Sequence, residues 1–153
     1  MVASIATGGI DMIYIGNIRD AAPNDPFDSA FAIVRNYKEP RLAWVEQLTA
    51  LSPSEDLYKQ YLRLRREEKW NEESFASIYV PQFLADMHNP DAREALNMLF
   101  TLGSKKKIAL YCYCWNERLC HRSIIAGLLQ GAGADVVLPT GRDFSQYYQQ
   151  YRQ

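Results

Sequence analysis

Residues 108–138 read IALYCYCWNERLCHRSIIAGLLQGAGADVVL and carry the strongest architectural signal in the chain. The first seven, IALYCYC, are apolar on both alternating faces. That pattern predicts a central strand covered on both sides, as in a parallel sheet between helix layers. Residues 115–119 interrupt it as a loop. Residues 120–130 then return to helical spacing, with Ile124, Ile125, Leu128 and Leu129 on the inward side. Gly131 and Gly133 end that helix, and residues 135–138 form the next short strand. Strand, loop, helix, strand is the βαβ module of an open α/β sheet, here over about residues 107–138.

The remaining chain fits around this unit. Residues 11–16 (DMIYIG) predict an early buried strand, 17–28 a loop rich in Pro, Asn and Asp, and 31–35 a second strand. Residues 36–51 are ambiguous: Pro40 breaks the chain, while Leu42, Val45 and Leu48 suit a helical turn. Ser52-Pro53-Ser54-Glu55 has capping-box form with Pro at the first helical position, so a helix is expected from Ser52. Its apolar stripe is Leu57, Tyr61 and Leu64; Lys59, Arg63 and Arg66 form a basic row read as a solvated face. A second helix over 72–87 has Phe75, Ile78, Tyr79 and Phe83 inward and is disturbed by Pro81. A third spans 91–102, with Gly103 expected as a left-handed cap, and a last aromatic helix covers 143–151. The fold class that follows is α/β: a Rossmann-like, open, mainly parallel sheet with helices on both faces. A helical insertion at about 52–102 sits within a single domain of residues 1–153.

Composition narrows the function. Seventeen Lys and Arg against eighteen Asp and Glu leave a formal charge of −1. That excludes a broadly basic polyanion-binding surface, but neither a local basic site nor a nucleic-acid contact. No apolar run approaches the ~18 residues of a membrane helix. The opening MVASIATGG has neither a basic nor a sustained apolar region of the secretory kind, so a cytoplasmic protein is expected.

The three cysteines all fall within residues 112–120, an odd and clustered set that argues against a disulfide scaffold. Cys112 and Cys114, two apart on a strand, share a face. Cys120, His121, Arg122 and Ser123 fall at a helix N-terminus, where free N–H groups and the macrodipole favour an anion. Arg118 and Arg122 add bidentate donors, and the same positive environment favours a thiolate. Cys112 and Arg118 have the spacing of Cys-x5-Arg phosphate loops, although the intervening YCWNE contains no glycine and Trp115 is bulky. Cys112, Cys114, Cys120 and His121 are also the ligand types of a Cys3His zinc site. Against that, Cys-x-Cys is tight, and neighbouring Cys120 and His121 are not expected to turn inward together. The cysteines are otherwise small core residues, with His121 a structural histidine.

CYCWNERLCHRSIIAGLL resembles the Cys-x7-Cys-His-Arg motif of the domain-of-unknown-function 488 family. The chain resembles the family's short prokaryotic and phage-borne members. It shares a strand ending near IGNIRD, Leu51-Ser52-Pro53 before a helix with Tyr58 and Tyr61, and a run like FASIYVPQFLADM. The resemblance implies an α/β fold and places the motif on Cys112, Cys120, His121 and Arg122. It names no reaction. Cys114 stands where many relatives carry Glu, and Arg118 lies outside the motif.

These residues suggest a small anionic, nucleotide-like ligand at the 112–122 loop. Arg118, Arg122 and Ser123 would hold it, with Asn17 and Arg19 lining the crevice. Cys112 or Cys120 would be the nucleophile and His121 the proton-transfer group. No cofactor is required, zinc being the alternative. A binding module without catalysis, such as a phage protein capturing a nucleotide signal or a host protein, fits the same residues.

Overall fold

The computed structural model describes residues 11–153. The opening segment read as lacking a secretion signal lies outside these residues. No described helix is long and apolar enough to cross a membrane.

Five strands form one sheet in the order β3-β2-β4-β1-β5: β1 Met12–Asn17, β2 Ser29–Ala32, β3 Val45–Gln47, β4 Lys107–Cys112 and β5 Val136–Val137. Every pairing is parallel, so the sheet goes beyond the mainly parallel expectation. All six residues of β1 are buried, and so are five of the six in β4, because both faces of these strands are covered. Ile13, Ile15, Ile108 and Leu110 are sealed from solvent at 0% exposure. Each such side chain contributes roughly 1.5–3 kcal/mol of burial free energy.

Several boundaries differ from the sequence reading. β2 lies at Ser29–Ala32 rather than 31–35, because Ser29 pairs with Ile108 and the ladder ends where Ile33 meets the Tyr111 carbonyl. The ambiguous 36–51 segment contains β3, whose three residues are too short for a periodic signal. α1 runs Glu55–Arg66, and its N-cap is Ser54, which accepts the Leu57 N–H; Ser52 instead donates its hydroxyl to Thr49 O.

α2 is continuous but made of three pieces: Glu72–Ser74, a π-helical Phe75–Tyr79, and Val80–Asp86. Asn71 and Ser74 cap its start reciprocally. The widened turn directly precedes Pro81, which has no N–H and whose ring would clash with the carbonyl four residues back. The helix therefore shifts register instead of breaking. α3 spans Pro90–Gly103. Gly103 has no left-handed φ and belongs to the helix; a Cβ there would come within 2.4 Å of Ile13 Cγ1. This glycine lets α3 approach β1 and is not a cap.

β4 ends at Cys112, two residues earlier than expected, so Cys114 lies in the following loop. α4 spans His121–Gly131 and ends in a Schellman closure: Gly133, at φ +102, donates to Gln130 O while Ala134 donates to Leu129 O. α5, Gln146–Arg152, starts three residues later than read from the sequence and packs on α4.

The chain leaves β1 towards β2 on one side and leaves β4 towards β5 on the other. The adjacent carboxyl ends, Asn17 beside Cys112, therefore sit at a topological switch point, where open α/β sheets bind ligands.

Candidate functional site

Cys112 is the last residue of β4, and Cys120 is the residue before α4. A short turn at Glu117–Leu119 folds the intervening loop back and brings the two sulfurs to 3.2 Å. Cys114 Sγ lies 3.7 Å from Cys112 Sγ, and His121 Nδ1 lies 3.7 Å from Cys112 Sγ and 3.8 Å from Cys120 Sγ. Cys120 and His121 do turn inward together, contrary to the expectation for adjacent residues. Cys120 has extended backbone angles, φ −122° and ψ 147°, and His121 is already helical, so the chain bends between them.

The second ring nitrogen of His121, Nε2, faces Ile33 O at 2.6 Å. This buried contact holds the ring beside the sulfurs, with Cys112 Sγ 3.7 Å from Nδ1 and 3.9 Å from Nε2. Hydrogen bonds from Cys114 and then Cys120, helped by the His121 charge, outweigh burial and hold the Cys112 thiol well below its ordinary range. Burial, followed by hydrogen bonds and charge at Cys112 and Cys114, pushes Cys120 up. Burial pulls His121 down, but the Cys112 charge and hydrogen bond outweigh it and the net shift is upward. Both directions favour a Cys112 thiolate beside a protonated His121.

Asn17, Arg19 and Arg122 hold the loop that carries Cys114. Asn17 Nδ2 donates to Cys114 O at 2.8 Å, and Arg122 donates to the same carbonyl at 2.6 Å. Arg19 donates to Tyr113 O and lies over the Trp115 ring, 3.9 Å from its centroid. Arg122 is 5% exposed, and its Nε has no partner among the described residues. Ser123 is fully buried and donates to Cys120 O at 2.8 Å. Arg118 points away and pairs with Glu72 at the surface.

A cavity of about 550 Å³ opens on this cluster. Cys112, Cys114, Cys120 and His121 line it, together with Arg19; Arg118, Arg122, Ser123 and Asn17 do not. The opposite wall comes from elements the sequence reading did not connect with the cysteines: Arg35 after β2, Tyr61 and Arg65 on α1, Trp70, and Tyr79 on α2. Arg65 donates to Tyr61 OH at 3.1 Å, and Tyr61 meets Trp70 edge-on at 4.7 Å. The signal was present as an i,i+4 Tyr61–Arg65 pair, one position off the basic row Lys59, Arg63 and Arg66. A second cavity of about 480 Å³, beside Pro53 and Pro90, holds none of the cysteines.

The cluster also has the dimensions of a metal centre. One ligand atom from each of Cys112, Cys114, Cys120 and His121 lies within 4.8 Å of all the others. Tetrahedral zinc, at about 2.3 Å from sulfur and 2.0 Å from nitrogen, would space its ligands by roughly 3.5–3.8 Å. The Nε2 contact to Ile33 O would serve as the outer-shell bond that fixes the tautomer of a metal-bound histidine.

No curated protein and no solved structure matches the chain. A family model does, over residues 19–133, which include α1, α2, α3, β4 and the whole cysteine loop. It describes the Active DUF488-N3 subclade, and the chain belongs to the DUF488 family.

Proposed function

We propose that this protein binds a small anionic, nucleotide-like ligand in the cavity above Cys112, with the Cys112 thiolate as a nucleophile facing it. The observation carrying this reading is the composition of one cavity: a sulfur cluster with His121 on its floor, guanidinium groups and aromatic rings on its walls. Arg35 and Arg65 supply charge and planar donors for phosphate or carboxylate. Tyr61, Trp70 and Tyr79 supply an aromatic surface for a ring system. His121 is the proton donor or acceptor, 3.7 Å from Cys112. Asn17, Arg19 and Arg122 act through the loop backbone and position Cys114.

The test is calorimetry and thermal shift of the full chain against nucleoside mono- and diphosphates, free nucleosides and inorganic phosphate. Nucleotides are expected to raise the melting temperature by mass action, and Arg65→Ala to weaken binding about 10-fold or more, as for a charged hydrogen bond. If none of the compounds shifts melting, the reading is wrong. If Cys112→Ser binds as wild type and no product forms with wild type, the protein is a binding module without thiolate chemistry.

The dimensions of the Cys3His cluster favour a second reading, a zinc centre at the same position. Elemental analysis after purification without added metal separates the two: one zinc per chain replaces the free nucleophile with a bound metal.

A further inference from the structure

We propose that Cys112 and Cys120 form a reactive dithiol that reduces hydroperoxides, closing to an intramolecular disulfide. This rests on the reading of Cys112 as a free nucleophile. It goes beyond ligand binding because it uses the second sulfur, which that reading leaves idle.

Three observations carry it. The sulfurs of Cys112 and Cys120 are 3.2 Å apart, so side-chain rotation closing roughly 1 Å reaches the S–S bond length of about 2.05 Å. The two residues sit on different elements, the end of β4 and the start of α4, and close a loop rather than a strained ring between near neighbours. Cys112 is 2% exposed while lining the cavity, a setting that admits a small oxidant more readily than a bulky protein disulfide.

The chemistry balances with one hydroperoxide. The Cys112 thiolate attacks the terminal oxygen of ROOH; the S–O bond forms as the O–O bond breaks. The departing alkoxide takes a proton from His121 and leaves as ROH, with Cys112 as sulfenic acid. Cys120 gives its proton to His121, whose Nδ1 is 3.8 Å away, and its sulfur attacks Cys112. The S–O bond breaks, and the hydroxide takes that proton and leaves as water. Two thiol equivalents are oxidised and one peroxide is reduced; an external dithiol restores the starting state.

Cys114, 3.7 Å from Cys112, is the competing partner. A bond between residues two apart closes a much smaller ring than one between Cys112 and Cys120, which favours Cys120.

The experiment treats the pre-reduced full chain with one equivalent of hydrogen peroxide and follows intact mass and peptide maps. Expected are loss of two hydrogens, a Cys112–Cys120 cross-link, consumption of one peroxide per chain and reversal by dithiothreitol. Cys120→Ser should accumulate a dimedone-trappable sulfenic acid at Cys112, while Cys114→Ser should still form the cross-link. A Cys112–Cys114 cross-link, or wild-type oxidation running on to sulfinic acid without a cross-link, overturns the proposal. Iodoacetamide labelling of the untreated protein separates the two failures. Labelling at Cys112 without any disulfide sinks the dithiol alone, whereas an unreactive Cys112 sinks the nucleophile reading as well.

Discussion

The charge on Cys112 depends on three neighbours that each donate or lend charge to one sulfur. Because its thiol is held well below the ordinary range, near pH 8.5 for free cysteine, its thiolate persists to lower pH than a free cysteine's. Iodoacetamide should therefore label Cys112 with a pH profile displaced towards acid from that of free cysteine. Cys120, shifted the other way, should label only in alkali. Mass spectrometry of each cysteine peptide against pH reads both; matching profiles near pH 8.5 would refute the asymmetry. The linked stability has a definite sign. The Cys112 contribution is fully present above the unfolded thiol pKa and is lost as pH falls through the folded value. The His121 contribution is fully present below about pH 6.5 and is lost as pH rises through its own raised value. Replacing Cys112 by Ser removes the largest contribution that lifts His121 and leaves only Cys114 to oppose burial. The imidazole pKa should then fall from its wild-type position, which an NMR titration of the ring protons measures.

Helix α5 docks on α4 only because two positions on α4 have no side chain. At Gly127 a Cβ would stand 2.0 Å from Phe144 O, and at Gly131 it would stand 2.1 Å from Tyr148 Cβ. Gly127→Ala should cost about 1–3 kcal/mol, since backbone must move to relieve the overlap. Gly133→Ala meets nothing within 4 Å, but its φ of +102 should still cost about 1–2 kcal/mol. Urea denaturation of both variants separates packing from backbone conformation. A neutral Gly127→Ala would contradict the contact of α4 with Phe144, just before α5. The element scale also shows where sequence patterns ran short. β3 has three residues and Pro81 sits inside a helix, so neither periodicity nor a breaker rule describes what the chain does there. Gly103 looked like a terminator because a glycine at a helix end usually is one; its partner, Ile13, lies ninety residues earlier.

Across the whole molecule, the cavity is assembled from the carboxyl end of β4, the segment after β2, and helices α1 and α2. Its arginines are few: Arg19, Arg35 and Arg65, in a chain whose formal charge is −1. Binding of an anion there should weaken as salt rises, because Arg19 and Arg65 are exposed and Arg35 half-buried, and such charges are screened over about 8–10 Å at physiological ionic strength. Calorimetry with a nucleoside monophosphate at two salt concentrations checks this; salt-independent affinity would argue against the arginine wall. By contrast, Arg118→Ala removes a surface pair with Glu72 and should change stability by no more than about 1 kcal/mol.

The α/β class, the parallel core strand and the strand-to-helix position of the cysteines were all readable along the chain. Each rests on local pattern: two-sided apolarity, a helical stripe, and residue types a few positions apart. The family motif was readable for the same reason, since Cys112, Cys120, His121 and Arg122 lie within eleven consecutive residues. The assignment of each charged group was not readable. Arg122 and Asn17 are used on the Cys114 carbonyl, Arg118 on Glu72, and Arg35 and Arg65, bonded to the Pro53 carbonyl and the Tyr61 hydroxyl, line the cavity from distant segments. Spacing tells which side chains can meet within one element. Which guanidinium finds a carbonyl, a carboxylate or an open cavity depends on how the helices between β3 and β4 fold back over the sheet. That is settled by burying their apolar faces, a contest among the whole set of long-range contacts that no short stretch of residues encodes.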